Sequence, residues 1–119
     1  MSDEAAVTQT IEQYIEAGVK GDSALMAKSF HPAATIYSVT AGKSEGGPIQ
    51  LLFDAVEGAP APNLTGVIGP IEVNTTTATA TAVLSDWSGA EYTDQFTLLK
   101  IEDSWKILSK VYHDRTPSQ

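Results

Sequence analysis

The order of two hydrophobic periodicities constrains this chain most. Near its start, apolar side chains recur every four residues at Val7, Ile11, Ile15 and Val19, which is the spacing of an amphipathic α-helix. Residues 77–84 alternate instead, with β-branched residues on one side, as in a β-strand. Helices followed by strands, with short connections, predict an α+β fold in which helices cover one face of an antiparallel sheet.

Two further helices are predicted in the first half. One begins at Asp22 or Ser23 and ends before Pro32, because a residue that precedes proline avoids helical geometry. The other follows Pro48, where apolar residues lie three and four apart, and ends at Gly58. The side chains expected to pack inward are Leu25, Met26, Phe30, Ile49, Leu52, Phe53 and Val56.

Alternating patterns predict five strands, at residues 34–39, 67–73, 77–84, 91–101 and 105–112. Glycines at positions 42, 46 and 47 predict a loop, and so does the Pro-rich segment 58–63. Neither segment is long enough for a domain linker. We therefore expect one domain over residues 1–119.

Composition narrows the possible partners. A hydrophobic content of 42% and a charged content of 18% are typical of a folded domain, whereas a net charge of -8 disfavours nucleic acid and anionic membrane surfaces. Without cysteine there are no disulfides, thiol nucleophiles or thiolate metal sites. No pattern of a signal peptide or a membrane span occurs, so we expect a cytoplasmic protein.

The motifs of phosphate loops, dinucleotide folds, zinc proteases and serine hydrolases do not occur in the sequence. The two histidines, His31 and His113, have no ligand-like spacing, so no metal site is predicted. His31 either bonds the end of the second helix or lies in a pocket, and the sequence favours neither role.

Asp94 lies between Tyr92 and Phe96 on one face of a predicted strand. A carboxylate on an apolar face destabilises the fold unless it is solvated or paired. It is therefore either a surface or ion-paired residue, with Lys or Arg as the partner, or a pocket carboxylate. Trp87, Tyr92 and Trp105 are interpreted as core or dimer contacts before ligand platforms, because aromatic residues mainly supply buried area.

Several segments together resemble the NTF2-like superfamily, and most closely its small bacterial branch of putative lumazine-binding, SnoaL-like proteins. They are residues 7–14 (VTQTIEQY), 21–22 (GD), 30–34 (FHPAA), 92–100 (YTDQFTLLK) and 105–107 (WKI). The resemblance implies a cone-shaped fold, in which a curved antiparallel sheet wraps around three helices and leaves a pocket. It also implies a homodimer formed through the outer sheet face. That face is expected to carry Thr, Val and Trp side chains.

In similar proteins the residues that match His31 and Asp94 approach the pocket. We expect these two as a catalytic dyad, since a carboxylate can orient an imidazole base. Around them we expect the substrate-binding residues Tyr14, Tyr37, Tyr92, Phe53, Trp87 and His113.

The superfamily includes ketosteroid isomerase, polyketide cyclases, dehydratases and noncatalytic transport factors, so the fold does not transfer a reaction. The first hypothesis is an isomerase, cyclase or dehydratase that acts without a cofactor on a small apolar metabolite. The alternatives are a noncatalytic small-molecule-binding module and a dimeric protein-interaction scaffold.

Overall fold

The structure, a computed structural model, describes residues 1–117. These residues form three α-helices. They are α1 Asp3–Lys20, α2 Ser23–Ala27 and α3 Gln50–Val56. None of them is long and apolar enough to cross a membrane. The predicted helices are confirmed, apart from Phe30, which begins the first strand instead of extending α2.

Local capping explains where α1 and α2 begin and end. Ser2 Oγ accepts a hydrogen bond from the amide of Ala5, which satisfies one of the unpaired donors of the first turn. Gly21 follows α1 with φ 66°, a left-handed conformation that glycine adopts without steric cost. Asp22 then accepts a bond from the amide of Leu25 and caps α2. The turn between α1 and α2 is therefore short, and Gly21 and Asp22 fix its conformation.

Seven β-strands form one sheet in the described part of the chain. They are β1 Phe30–Thr40, β2 Lys43–Pro48, β3 Thr65–Ile68, β4 Glu72–Asn74, β5 Thr77–Trp87, β6 Ala90–Ile101 and β7 Ser104–Asp114. Their spatial order is β2-β1-β7-β6-β5-β3, and β4 also pairs with β5. The sheet is curved and does not close on itself, which confirms the α+β cone.

One strand pair departs from the predicted antiparallel sheet. β1 and β7 run parallel, with Tyr37 beside Val111, whereas the other pairs among the described strands are antiparallel. The chain leaves the helical hairpin through β1 and comes back beside it only with its last strand. Parallel strands need a long connection, and here β2 to β6 and α3 together form the connection between β1 and β7.

Glycine and proline act differently here from the prediction. The segment expected to be a loop forms β2, and a Cβ at Gly46 would collide with the backbone oxygen of Ile36. Glycine at this position therefore allows close pairing with β1. Residues 67–73 form two short strands instead of one, because Gly69 and Pro70 separate β3 from β4 and proline has no amide hydrogen to donate.

The helices cover the inner face of the sheet. The inward residues of β5 are the small side chains of Ala78, Ala80 and Ala82, which are buried. On the neighbouring strand, the ring of Phe96 lies 5.7 Å from that of Tyr14 on α1, edge to face. Small side chains on β5 and aromatic rings over β6 thus fill the space beneath α1.

Register shifts in β5 and β7 decide which side chains face inward near one end of the sheet. The pairing of β5 with β6 shifts between Leu84 and Trp87. Between β6 and β7, Leu98 pairs with Ile107 but Thr97 pairs with Ser109, so Leu108 of β7 has no partner. Since alternate residues of a strand face opposite sides, one extra residue reverses the facing of everything after it.

The outer face of the sheet carries threonines and partly exposed apolar side chains. Tyr37 is 44% exposed and Val111 is 47% exposed, and the two are neighbours in the β1–β7 pair. The tryptophans expected on this face lie inside instead. Trp105 is buried and its Nε1 donates a hydrogen bond of 3.2 Å to Asp3 Oδ1, and Trp87 is turned inward by the β5 bulge.

Candidate active site

A cavity of about 340 Å³ opens between α3, the β1–β2 pair and one end of the sheet. This volume lies within the range of small-molecule sites. Its apolar lining comes from β1 and α3, and its polar and aromatic lining comes from β2, β5, β6 and β7. The lining includes Ile36, Glu45, Trp87, Tyr92, Lys110 and Tyr112.

Three aromatic side chains form one wall of the cavity. The rings of Trp87 and Tyr92 are 6.3 Å apart, and those of Tyr92 and Tyr112 are 5.4 Å apart, both edge to face. Trp87 fits against α1 because Gly18 has no side chain: a Cβ there would lie 2.9 Å from Trp87 Cζ2. The wall is therefore aromatic, and Trp87 packs between Gly18 of α1 and Tyr92.

Lys110, which lines the cavity, forms a buried ion pair with Asp94, which does not itself line it. Lys110 Nζ lies 3.4 Å from Asp94 Oδ1, and the two side chains are 5% and 0% exposed. Tyr14 Oη donates a hydrogen bond of 2.8 Å to the other carboxylate oxygen, Oδ2. Among the described residues, Oδ1 has no hydrogen-bond partner of good geometry, so Lys110 supplies its nearest compensating charge.

Sheet register brings the two charges together. Lys110 is the direct neighbour of Phe96 on β6, and Asp94 is the neighbour of Tyr112. Asp94 and Lys110 are therefore diagonal partners on the inner face, within reach of a long side chain. The ammonium also lies 4.3 Å from the centroid of the Tyr112 ring, a favourable cation–π contact.

Burial shifts the protonation of this cluster. It raises the pKa of Asp94, an effect that the Lys110 charge and the Tyr14 hydrogen bond oppose. Burial likewise lowers the pKa of Lys110, against the attraction of Asp94, and raises the pKa of Tyr14. The two shifts bring the pKa values of Lys110 and Asp94 closer together than those of the same groups in water.

Several residues predicted from sequence lie in or beside this cluster. Asp94 faces inward with Tyr92 and Phe96, as the alternation of the strand indicates. Of the two alternatives for its role, the contacts show the ion pair: Asp94 pairs with Lys110 and does not itself line the cavity. Tyr14 is its hydrogen-bond donor. Tyr14 and Phe53 do not line the cavity either, and the Phe53 ring packs 5.6 Å from that of Phe30.

The expected dyad of His31 and Asp94 is not formed. His31 Nδ1 accepts a hydrogen bond of 2.9 Å from the amide of Ala33 in its own strand. Its neighbour Phe30 is level with Ile107 on β7, whereas Asp94 is level with Tyr112, a separation of roughly 15 Å along the strand. His31 follows the buried Phe30 and, by strand alternation, faces the other side.

Two other predicted pocket residues lie on the outer face. Tyr37 is exposed, because it alternates with the buried residues Ile36 and Ser38. His113 is exposed and is paired with Thr93. Neither lines the cavity, so both are corrected from pocket to surface positions.

Sequence reasoning missed Lys110 as the partner of Asp94. Trp105 and Ile107 are buried, so strict alternation would place Lys110 outward; the unpaired Leu108 turns it inward. The available signal was the requirement that a buried carboxylate has a cationic partner. Within residues 1–117, no three His, Asp or Glu side chains are grouped as a metal ion would require.

Comparisons with known proteins agree with this architecture. The model of a protein family described as "Putative lumazine-binding" matches residues 2–113. A curated protein, aldolase FrzH of a Cladobotryum species, is 34% identical over 110 residues, which cover 91% of this chain and 88% of that protein.

Solved structures show the same fold. An NTF2-like protein of unknown function from Shewanella baltica has a TM-score of 0.91 and 39% identity, with 98% of this chain and 95% of that chain covered. A protein described as a putative ketosteroid isomerase, from Shewanella frigidimarina, has a TM-score of 0.67 over 91% of this chain and 94% of that chain. At 19% identity, the second likeness concerns the fold alone.

Proposed function

This chain belongs to the NTF2-like superfamily and, within it, to the family described as "Putative lumazine-binding", and on that premise we propose a proton-transfer enzyme. Its cavity binds a small, largely apolar carbonyl compound. Lys110 removes a proton from the carbon next to the carbonyl and returns it. Asp94 and Tyr14 are positioning residues that act through Lys110.

The observation that carries this proposal is the buried Lys110–Asp94 pair, of which Lys110 lines the cavity. A buried ion pair stabilises a fold no better than apolar residues of similar volume, and often less well. Its presence beside a cavity therefore supports a chemical role. An amine whose pKa is lowered by burial is neutral more often near neutral pH, and a neutral amine can act as a general base.

The walls indicate the kind of substrate. Trp87, Tyr92 and Tyr112 offer flat apolar surfaces, which suit a ring or a short hydrocarbon chain. Tyr92 and Tyr112 also bring hydroxyl groups to the lining, and a hydroxyl can donate to a carbonyl oxygen, whose negative charge grows as the neighbouring proton leaves. The name of the aldolase relative fits the same step, because an aldol reaction joins carbonyl compounds through an enolate or enamine.

Hydrogen–deuterium exchange tests the proposal directly. The protein is incubated in D₂O with a panel of small ketones and aldehydes that includes cyclohexanone, and loss of the proton signal next to the carbonyl is followed by NMR. Wild type is expected to accelerate exchange of at least one compound by about 10²- to 10⁴-fold. Lys110→Met should return the rate to background.

Lys43→Met is the matched control. Lys43 is an exposed lysine on β2 and does not line the cavity, so its loss should leave the exchange rate unchanged. Equal rates in wild type and Lys110→Met, or no acceleration of any compound, would contradict the proposal.

A noncatalytic binding role is the second candidate, and the aromatic wall favours it. Flat heterocycles stack well on such side chains, and the family description refers to lumazine binding. In the same experiment this role predicts shifted ligand signals without exchange. A protein-interaction scaffold would show neither response.

Self-association is the remaining part of the proposal. The outer sheet face presents Tyr37, Val39, Val83 and Val111, which are 43–69% exposed. An antiparallel sheet with helices on one side leaves such a face to be covered. We infer that a second copy of the chain covers it.

A further inference from the structure

We propose that Lys110 Nζ also attacks the carbonyl carbon of the bound compound and forms an imine with it. This inference rests on the proposed function, because it assigns a covalent route to the same cavity and the same class of substrate. On this covalent route Lys110 is the nucleophile, and a separate group removes the proton that the direct route assigns to its amine.

The placement of Lys110 supports this role. Among the described residues that line the cavity, it is the one lysine, and its side chain is 5% exposed. Its strand is paired on both sides, to Ile36 of β1 and to Phe96 of β6. A lysine fixed in this way loses little further freedom on reaction, and desolvated lysines in apolar pockets are effective nucleophiles toward carbonyl groups.

The neighbouring groups favour the product as well as the attack. Burial lowers the pKa of Lys110, so more of the amine carries the free electron pair that reacts. Once the iminium has formed, its positive charge stays near the position of Nζ, 3.4 Å from Asp94 Oδ1. Asp94 thus faces one positive charge both when Lys110 is a protonated amine and after the iminium has formed.

Imine formation begins at Lys110 Nζ. The Nζ electron pair forms a C–N bond, and the π electrons of the C=O bond move to oxygen. That oxygen leaves as water with one hydrogen from Nζ and one proton from solvent, which leaves an iminium. A proton on the adjacent carbon then passes to a base, for which Glu45 is the carboxylate that lines the cavity. The C–H electrons form the C=C bond of the enamine, and the π electrons of the C=N bond return to nitrogen.

Borohydride trapping tests the covalent bond. The protein is equilibrated with the compound that exchanges fastest, quenched with sodium borohydride and digested for mass spectrometry. Reduction of an imine leaves a secondary amine on the peptide that contains Lys110. The adduct is expected in wild type and in Lys43→Met, and Lys110→Met should lack it.

Oxygen exchange separates this inference from the proposed function. Imine formation and hydrolysis replace the carbonyl oxygen with solvent oxygen, so wild type in H₂¹⁸O should label the ketone at least about tenfold faster than Lys110→Met. Lys110-dependent deuterium exchange without the adduct and without faster ¹⁸O labelling would overturn the imine and leave the general base in place. Absence of deuterium exchange as well would overturn both.

Discussion

Tyr14 Oη donates a hydrogen bond of 2.8 Å to Asp94 Oδ2 across 80 positions of sequence. The bond joins α1 to β6, and both side chains are fully buried. It therefore links the helical layer to the ion-pair partner of Lys110, the lysine that lines the cavity. Because a buried carboxylate needs donors, this contact helps to hold Asp94 in place beside Lys110.

Replacing Tyr14 with Phe removes this bond and keeps the ring. We expect Tyr14→Phe to lower the free energy of unfolding by about 1.5–3 kcal/mol, as for a hydrogen bond to a charged group. Urea denaturation monitored by circular dichroism measures the change. Tyr37→Phe, the same change at an exposed position, should stay within about 0.5 kcal/mol of wild type. Equal effects of the two substitutions would show that the bond contributes nothing.

The Asp94–Lys110 pair predicts strong coupling in a double-mutant cycle. Asp94→Asn leaves Lys110 buried without its partner and should cost about 3–5 kcal/mol of unfolding free energy. Adding Lys110→Met removes the unpaired charge, so the double variant should recover at least about 1 kcal/mol. Asparagine still accepts a bond from Tyr14. Denaturant unfolding of the four proteins gives the coupling energy, and simple additivity would contradict the pair.

Activity should depend on the protonation of Lys110. Burial lowers its pKa, so the deuterium-exchange rate should rise with pH and level off below the ordinary lysine range, as the neutral amine forms. Asp94 opposes that lowering, so in Asp94→Asn the rising limb should move to lower pH. The other ionisable side chains around Lys110 are Tyr14, Tyr92, Tyr112 and Glu45, so the midpoint of the observed limb is an apparent value for the whole site.

An unmoved limb in Asp94→Asn would exclude Asp94 as the group that sets the protonation of Lys110. The Lys43→Met variant supplies the reference profile, since that side chain lies outside the cavity. Its profile should match that of wild type over the whole pH range.

Local patterns predicted the parts of the site that follow regular geometry. The even-numbered residues of β6 face inward, so the placement of Asp94 could be derived from alternation alone. The helical hairpin was likewise predictable, because Gly21 and Asp22 mark its corner through backbone preferences that single residues carry.

The remaining parts depend on contacts between distant strands. The bulge at Leu108 turns Lys110 inward, and the shift before Trp87 brings that ring to the cavity. Neither follows from the alternation of its own strand, because a bulge is defined by the partner strand. The distance between His31 and Asp94 could not be predicted for the same reason, because the parallel register of β1 with β7 determines this distance.

The outer sheet face predicts a dimer that one added charge disrupts. Val111 lies next to Tyr37 on this face, so Val111→Asp would place a carboxylate in the proposed interface, where burial without a partner is unfavourable. We expect its dissociation constant to rise at least about tenfold, equivalent to about 1.4 kcal/mol. Light scattering across a concentration series should show two chains for wild type and a shift toward one chain for the variant. Ala5→Asp adds the same charge at an exposed position of α1, and this variant should remain dimeric. A wild type that is monomeric at micromolar concentration would refute the dimer.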